Sequence, residues 1–161
     1  MRRLGAACPP PSFANKSGRP RMPNRAFLDS NVFIFGFERR NSNSHRILEM
    51  LSTGDIRGVV TDRIVREVMQ YFRRRYGKDL ASQFRDFILF TCELVLEADV
   101  PISKALVALV GARDAGALAA TRALGLARLV STDRDFGGIP ERRTPREFLH
   151  DVGERSHAGD E

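Results

Sequence analysis

The chain has 161 residues, enough for one ordinary domain and too few for two. Hydrophobic residues make up 42% and charged residues 29%, a globular composition that excludes disordered and fibrous classes. The formal net charge of +6 is carried at one end: Arg2, Arg3, Lys16, Arg19, Arg21 and Arg25 all precede the first acid, Asp29, and the other 20 basic side chains balance 20 acids. The excess therefore belongs to a leader and says little about the domain surface. The apolar stretch Ala105 to Ala112 is eight residues long, far short of the ~18 that a membrane span requires. Cys8 and Cys92 lie far apart in the chain, which suits a reducing cytoplasm and offers neither a disulfide framework nor a zinc site.

Residues 1–24 mix Pro, Ser, Gly and Arg without a period and hold too few apolar residues to build a core. Three readings fit such a basic, acid-free leader: an organelle transit peptide, a flexible arm, and an upstream extension of a chain initiated at Met22. The last two are favoured, because Met22 leads straight into the first strand. From there strands and helices alternate. Ala26 to Asp29 is a short apolar run closed by Asp-Ser-Asn, followed by the apolar Val32 to Phe37. Ile47, Leu48 and Leu51 mark a helix that stops near Gly54. Ile56 to Val60 reads as a strand, and Thr61 or Asp62 caps a helix with Ile64, Val65, Val68, Met69 and Phe72 on one face. Arg73, Arg74 and Arg75 suit the negative end of that helix, and Gly77 its left-handed cap.

Leu80, Phe84, Phe87, Ile88 and Phe90 predict another helix, and Leu94 to Leu96 a strand. Pro101 is expected to open a helix through Val110, and Asp114 the next, which Gly125 closes. Leu126 to Val130 predicts a strand ending in Ser131-Thr-Asp-Arg-Asp-Phe136. Thr144-Pro145-Arg146-Glu147 is a capping box with Pro at the first helical position. Residues 151–161 are expected to fray. Strands separated by helices imply an α/β domain, a parallel sheet with helices on both faces, over residues 25–150.

In an open parallel sheet, ligands bind beyond the carboxyl ends of the strands. Asp29 and Asp133 each close an apolar run at such an end. Glu67 and Asp114 are expected in the first turns of helices, and Asp135 is a neighbour that could help. Carboxylates without Cys or His form the ligand set of a hard cation such as Mg²⁺ or Mn²⁺, because clustered carboxylates stay ionised only when a cation compensates them. Each acid also has a plainer role open to it. Asp114 could be only an N-cap, Asp133 an Asx-turn residue, and Glu67 a surface acid beside the apolar stripe. Asp29, an acid interrupting an otherwise buried run, is hardest to explain that way.

The order Leu28-Asp-Ser-Asn-Val32, then Glu67 after a strand, then Arg113-Asp-Ala-Gly-Ala-Leu-Ala-Ala120, then Leu129-Val-Ser-Thr-Asp-Arg-Asp-Phe136 resembles the PIN-domain ribonucleases, including the VapC-type toxins, over about residues 25–150. The resemblance implies a three-layer α/β/α sandwich and a Mg²⁺- or Mn²⁺-dependent endoribonuclease in the cytoplasm. It implies an acidic quartet of Asp29, Glu67, Asp114 and Asp133, with Asn31 and Ser131 in support and Asp135 as a variable extra metal ligand. A homodimer and, for a toxin, a cognate antitoxin protein are the partners it implies. Two features depart from the pattern: Gly116 stands where a bulkier residue is common, and the leader is long.

Tyr71-Phe-Arg-Arg-Arg-Tyr76 interleaves cations and rings, which suits contact with phosphates and unpaired bases. A helix end with solvated arginines explains the same residues. Val32 to Phe37 reads as core and dimer surface. An aspartyl phosphatase is disfavoured because Asn31 stands where its second acid would be. A receiver domain lacks its phosphorylation-site strand and switch Lys, and the Asp133-Arg-Asp135 of a glycosyltransferase lacks its nucleotide-sugar domain. The serious alternative is a PIN fold that binds RNA or a partner without cutting.

Overall fold

The computed structural model describes residues 24–157, so most of the basic leader and the last residues of the expected tail lie outside the described part. The strands are β1 (Asn24–Leu28), β2 (Ile56–Thr61), β3 (Cys92–Val95), β4 (Leu129–Val130) and β5 (Arg142–Arg143). The helices are α1 (Ser30–Glu38), α2 (Asn43–Thr53), α3 (Asp62–Tyr76), α4 (Lys78–Thr91), α5 (Lys104–Val110), α6 (Ala115–Ala123) and α7 (Pro145–Asp151). All strand pairs are parallel, in the order β3-β2-β1-β4-β5.

That order builds outward from β1 in two directions. Crossovers β1→β2 and β2→β3 run one way, and the chain then jumps back across β1 to β4. Right-handed crossovers of opposite direction place their helices on opposite faces. Accordingly α1 packs on α2 and α3, α3 on α4, and α7 on α2, while α6 lies across β1, β2 and β4 with α5 beside it. The result is the three-layer α/β/α sandwich. Its core is drawn from the strands (Phe27, Leu28, Val59, Val60, Leu129, Val130) and from the inward helix faces (Val32, Phe33, Ile47, Val68, Phe72, Leu118, Phe148), all fully buried. Phe72 stacks on Phe84 at 4.3 Å between ring centroids, closing the α3–α4 seam.

The local signals act as their chemistry suggests. The Thr61 hydroxyl accepts from the Ile64 amide, Gly54 takes the left-handed conformation that ends α2, and Thr144 and Glu147 form the reciprocal capping box of α7. Five points depart from the sequence reading. The α5 helix begins at Lys104, because Ser103 supplies the capping hydroxyl to the Leu106 amide while Pro101 has no capping residue before it. Glu67 sits in the second turn of α3, since the helix starts immediately at Asp62. The β4 strand keeps only two residues, because the Leu126 amide turns back to the Thr121 carbonyl of α6. β5 has no apolar pattern in the sequence; it forms because Arg143 and Glu141 carbonyls accept from the amides of Ser131 and Leu129. Residues 152–157, expected to fray, lie against α2: Arg46 pairs with Glu154 at 3.0 Å, and the His157 amide donates to Asn43 Oδ1 at 2.7 Å.

Candidate active site

The strand order reverses between β1 and β4, the point beyond whose carboxyl ends an open parallel sheet forms its ligand-binding crevice. Leu28 pairs with Val130 in register, so the residues following these strands meet although they lie a hundred positions apart. Asp29 leaves β1 buried, with its amide on the Val130 carbonyl. Its Oδ1 accepts from the Ser30 amide at 2.8 Å, capping α1, and its Oδ2 accepts from the Ser131 hydroxyl at 2.6 Å. Asn31 Nδ2 reaches Asp29 Oδ2 at 3.3 Å and Ser131 Oγ at 3.4 Å, while Asn31 Oδ1 accepts from the Thr132 amide. Asn31 and Ser131 thus hold the β1 and β4 ends together around one carboxylate.

Ser131 Oγ also accepts from the Asp133 amide at 3.0 Å, and Asp133 Oδ1 accepts from the Asp135 amide at 2.9 Å. Asp133 is therefore an Asx-turn residue, as its plainer reading has it, yet it also reaches other acids. One carboxylate oxygen from each of Asp114, Asp133 and Asp135 lies within 4.8 Å of the others. Asp114 occupies the position before α6, but its side chain makes no capping hydrogen bond, which removes the support for a purely capping role. Burial, and then the charges of Asp133 and Asp29, push the Asp114 carboxyl up to about 6; Arg113 opposes them. Burial above all raises Asp29 as well, with Glu67 and Asp133 adding to it while its hydrogen bonds to Ser131 and Ser30 oppose. Carboxylates held up in this way mark a place where negative charge is crowded and partly desolvated.

Glu67 stands apart from that trio. Its Oε1 is 3.7 Å from Arg63 Nε, one helical turn away, and 3.8 Å from Arg113 Nε. Arg63 reaches on to Glu97, two residues past the end of β3, at 3.4 Å. Glu97 packs against Gly116, where an added Cβ would lie 2.5 Å from its carboxyl carbon. A small residue at position 116 is thus matched to this chain's own Glu97. The i, i+4 spacing of Arg63 and Glu67 was a readable signal; the approach of Arg113 and Glu97 was not.

Of the three arginines at the end of α3, Arg74 and Arg75 line a cleft beside the acids, whereas Arg73 does not. Arg75 is engaged with Glu38 at 3.3 Å. Gln70 and Arg113, neither of them proposed for the site from the sequence, share the same cleft with Tyr71, Glu67 and Ser30.

The donor set suits a hard divalent cation: oxygen ligands only, from three acids close enough for one ion to touch, with Asp29 fixed behind them.

No curated protein matches the chain in sequence. Among solved structures, the chain resembles a toxin–antitoxin complex from Klebsiella pneumoniae, at 21% identity and a TM-score of 0.53, over 76% of this chain and 98% of that one. It also resembles VapBC2 from Rickettsia felis bound to a DNA fragment from its promoter, at 15% identity and a TM-score of 0.53, over 74% and 98%. A third likeness is to VapC20 of Mycobacterium tuberculosis, a sarcin-ricin-loop-cleaving toxin, at 15% identity and a TM-score of 0.50, over 69% and 92%. At these identities the likeness is one of fold. The family model of the PIN domain matches residues 25–135, from β1 through the Asp133–Asp135 turn, and with the acids gathered at the β1/β4 switch point the chain belongs to the PIN-domain family.

Proposed function

We propose that the chain is a Mg²⁺- or Mn²⁺-dependent endoribonuclease of the VapC type. Asp114, Asp133 and Asp135 would hold the ion, with Asp29 and Glu67 completing the acidic set. The observation that carries the reading is the convergence of the first three carboxylates at the crevice between β1 and β4, with Asp114 held up to about 6 by burial and by its acidic neighbours. A divalent ion there would supply the positive charge that polarises a phosphodiester and eases ionisation of an attacking water. The protein's own part is geometric. Ser131 and Asn31 fix the Asp29 carboxylate, and the Asp133 Asx-turn presents Asp133 and Asp135 to the same space.

An RNA substrate is supported by the described activity of the mycobacterial relative in fold, and an antitoxin partner by the toxin–antitoxin neighbours. A homodimer in the cytoplasm belongs to the same reading, and a short upstream gene with a DNA-binding N-terminus would favour a toxin over a stand-alone processing nuclease.

The test is cleavage of a labelled RNA in Mg²⁺, in Mn²⁺ and in EDTA. The wild-type protein is expected to cut only with the metals, and Asp114→Asn and Asp133→Asn to lose orders of magnitude in rate while still folding. Retained cleavage in Asp114→Asn sinks the assignment. Binding of RNA without cutting in either metal would favour a non-catalytic PIN domain instead.

A further inference from the structure

We infer that Glu97 is a positioning residue of the acidic site: it holds the Arg63 guanidinium away from Glu67, so that the Glu67 carboxylate stays free to turn toward a divalent ion. This rests on the metal-dependent nuclease reading and adds to it a residue from outside the acidic set.

Two carboxylates compete for Arg63. Its Nη1 donates to Glu97 Oε1 at 3.4 Å, whereas its Nε stops 3.7 Å from Glu67 Oε1, past hydrogen-bond reach. Arg113, the second cation beside Glu67, stands at 3.8 Å. Among the described residues, no donor hydrogen-bonds the Glu67 carboxylate. Glu67 also lines the cleft it shares with Ser30 and Arg113, the chain neighbours of Asp29 and Asp114. It is an acid at the edge of the site whose charge is only loosely countered.

The two distances to Arg63 are too alike for Coulomb attraction to choose between the carboxylates. Their alternatives decide. Glu67 keeps Arg113 if Arg63 leaves. Glu97 keeps nothing: Arg63 is its one ion-pair partner among the described residues, and its Oε2 is buried without a hydrogen-bond partner. Taking the cation from a carboxylate so placed leaves a poorly solvated charge, which costs more than loosening an exposed pair. Arg63 therefore stays with Glu97.

The fold places Glu97 for this. Its amide donates to Asp62 Oδ1 at 2.9 Å, tying the segment after β3 to the first residue of α3, next to Arg63. On the other side, Gly116 of α6 leaves room for the carboxylate: an added Cβ would lie 2.5 Å from Glu97 Cδ, and 2.7 and 2.8 Å from its oxygens. Gly116 is two residues after Asp114. One side chain thus touches both the helix that follows Asp114 and the cation that faces Glu67.

The experiment titrates Mn²⁺ into the full chain and follows the electron paramagnetic resonance of the free ion, a readout independent of cleavage. Glu97→Gln keeps the size and loses the charge, which lets Arg63 close on Glu67. It should weaken Mn²⁺ binding about tenfold, the worth of one hydrogen bond to a charged group. Arg63→Gln removes the competitor for Glu67 and should bind Mn²⁺ at least as tightly as wild type. Adding Glu97→Gln to that variant should then change the affinity by no more than about twofold, the scatter of uncoupled changes.

A structural role for Glu97, or a simple loss of nearby negative charge, predicts that the tenfold loss persists without Arg63. That outcome overturns the inference, as does wild-type affinity in Glu97→Gln or weaker binding in Arg63→Gln. Circular dichroism in EDTA checks each fold, and Arg63→Gln, which leaves Glu97 intact, decides alone if Glu97→Gln unfolds. The nuclease reading fails separately. Mn²⁺ binding and RNA cleavage by the wild type, with no coupling between the variants, remove Glu97 and keep the nuclease. A wild type that binds no Mn²⁺ and cuts no RNA overturns both.

Discussion

Asp114 and Asp29 are the two acids of the site whose carboxyls are raised, and the consequence is a stability that depends on pH in the sense opposite to that of a salt-bridged carboxylate. For Asp114 the folded-state value is about 6 against 3.8 when unperturbed. Below 3.8 the group is protonated folded or unfolded and contributes nothing. Between those values the unfolded chain ionises first, so the folded state loses stability as pH rises through the window, and above about 6 the full penalty is present. Asp114 is only half-buried, so solvent screening limits this to about 1 kcal/mol. Glu38 and Asp151 work the other way, because hydrogen bonds from Tyr76 and Arg143 hold them down. The difference between wild type and Asp114→Asn isolates the group. In EDTA the variant should be the more stable protein above pH 6 and should lose that advantage near pH 4. A constant offset in chemical denaturation across this range would show that Asp114 ionises freely.

At the scale of elements, the site depends on how closely α1 and α2 approach, because α1 leaves directly from Asp29. Gly36 makes that approach. A Cβ there would lie 2.7 Å from Leu48 Cδ1 and 2.9 Å from the Ser44 carbonyl oxygen, and the Gly36 carbonyl is within 2.8 Å of His45 Nδ1. Leu48 can rotate, but the Ser44 carbonyl is backbone inside α2 and cannot move alone. Gly36→Ala should therefore destabilise the fold by about 1–3 kcal/mol despite the better helix propensity of Ala. Thermal or urea unfolding measures this, and a neutral or stabilising effect would mean the two helices separate easily. The sequence marked Val32 to Phe37 as an apolar stretch and assigned it no helix; that it forms α1 and turns onto α2 at a single glycine was not readable, because the partner atoms come from another segment.

For the whole molecule, a cation at the carboxylate cluster would bind only the folded chain, since residues 114 and 133 converge only there. Saturating Mn²⁺ should then raise the unfolding free energy by RT ln(1 + [L]/Kd), about 2.7 kcal/mol at a hundredfold excess over Kd. Asp133→Asn should lose most of that gain. Equal metal-induced shifts in melting temperature for both proteins would place the ion elsewhere.

The amino-acid sequence alone determined most of the elements and several of the residues at their ends. Period and capping are local properties: apolar spacing marked β1, β2, α3 and α4, the Thr144 box marked α7, and the acids after β1 and β4 followed from where those apolar runs stop. The α/β class followed from their alternation. Only the tertiary structure decided what met what. The order β3-β2-β1-β4-β5 put the switch point between β1 and β4, set Ser131 on Asp29, and recruited β5 from a segment with no strand pattern. It also brought Arg113 to Glu67 and Glu97 to Gly116, and turned Arg74 but not Arg73 toward the cleft. The reason is physical: a helix or strand is chosen by neighbours within a few residues, whereas convergence of side chains across a hundred positions depends on sheet order and helix docking, which burial of the shared core selects and no local period encodes.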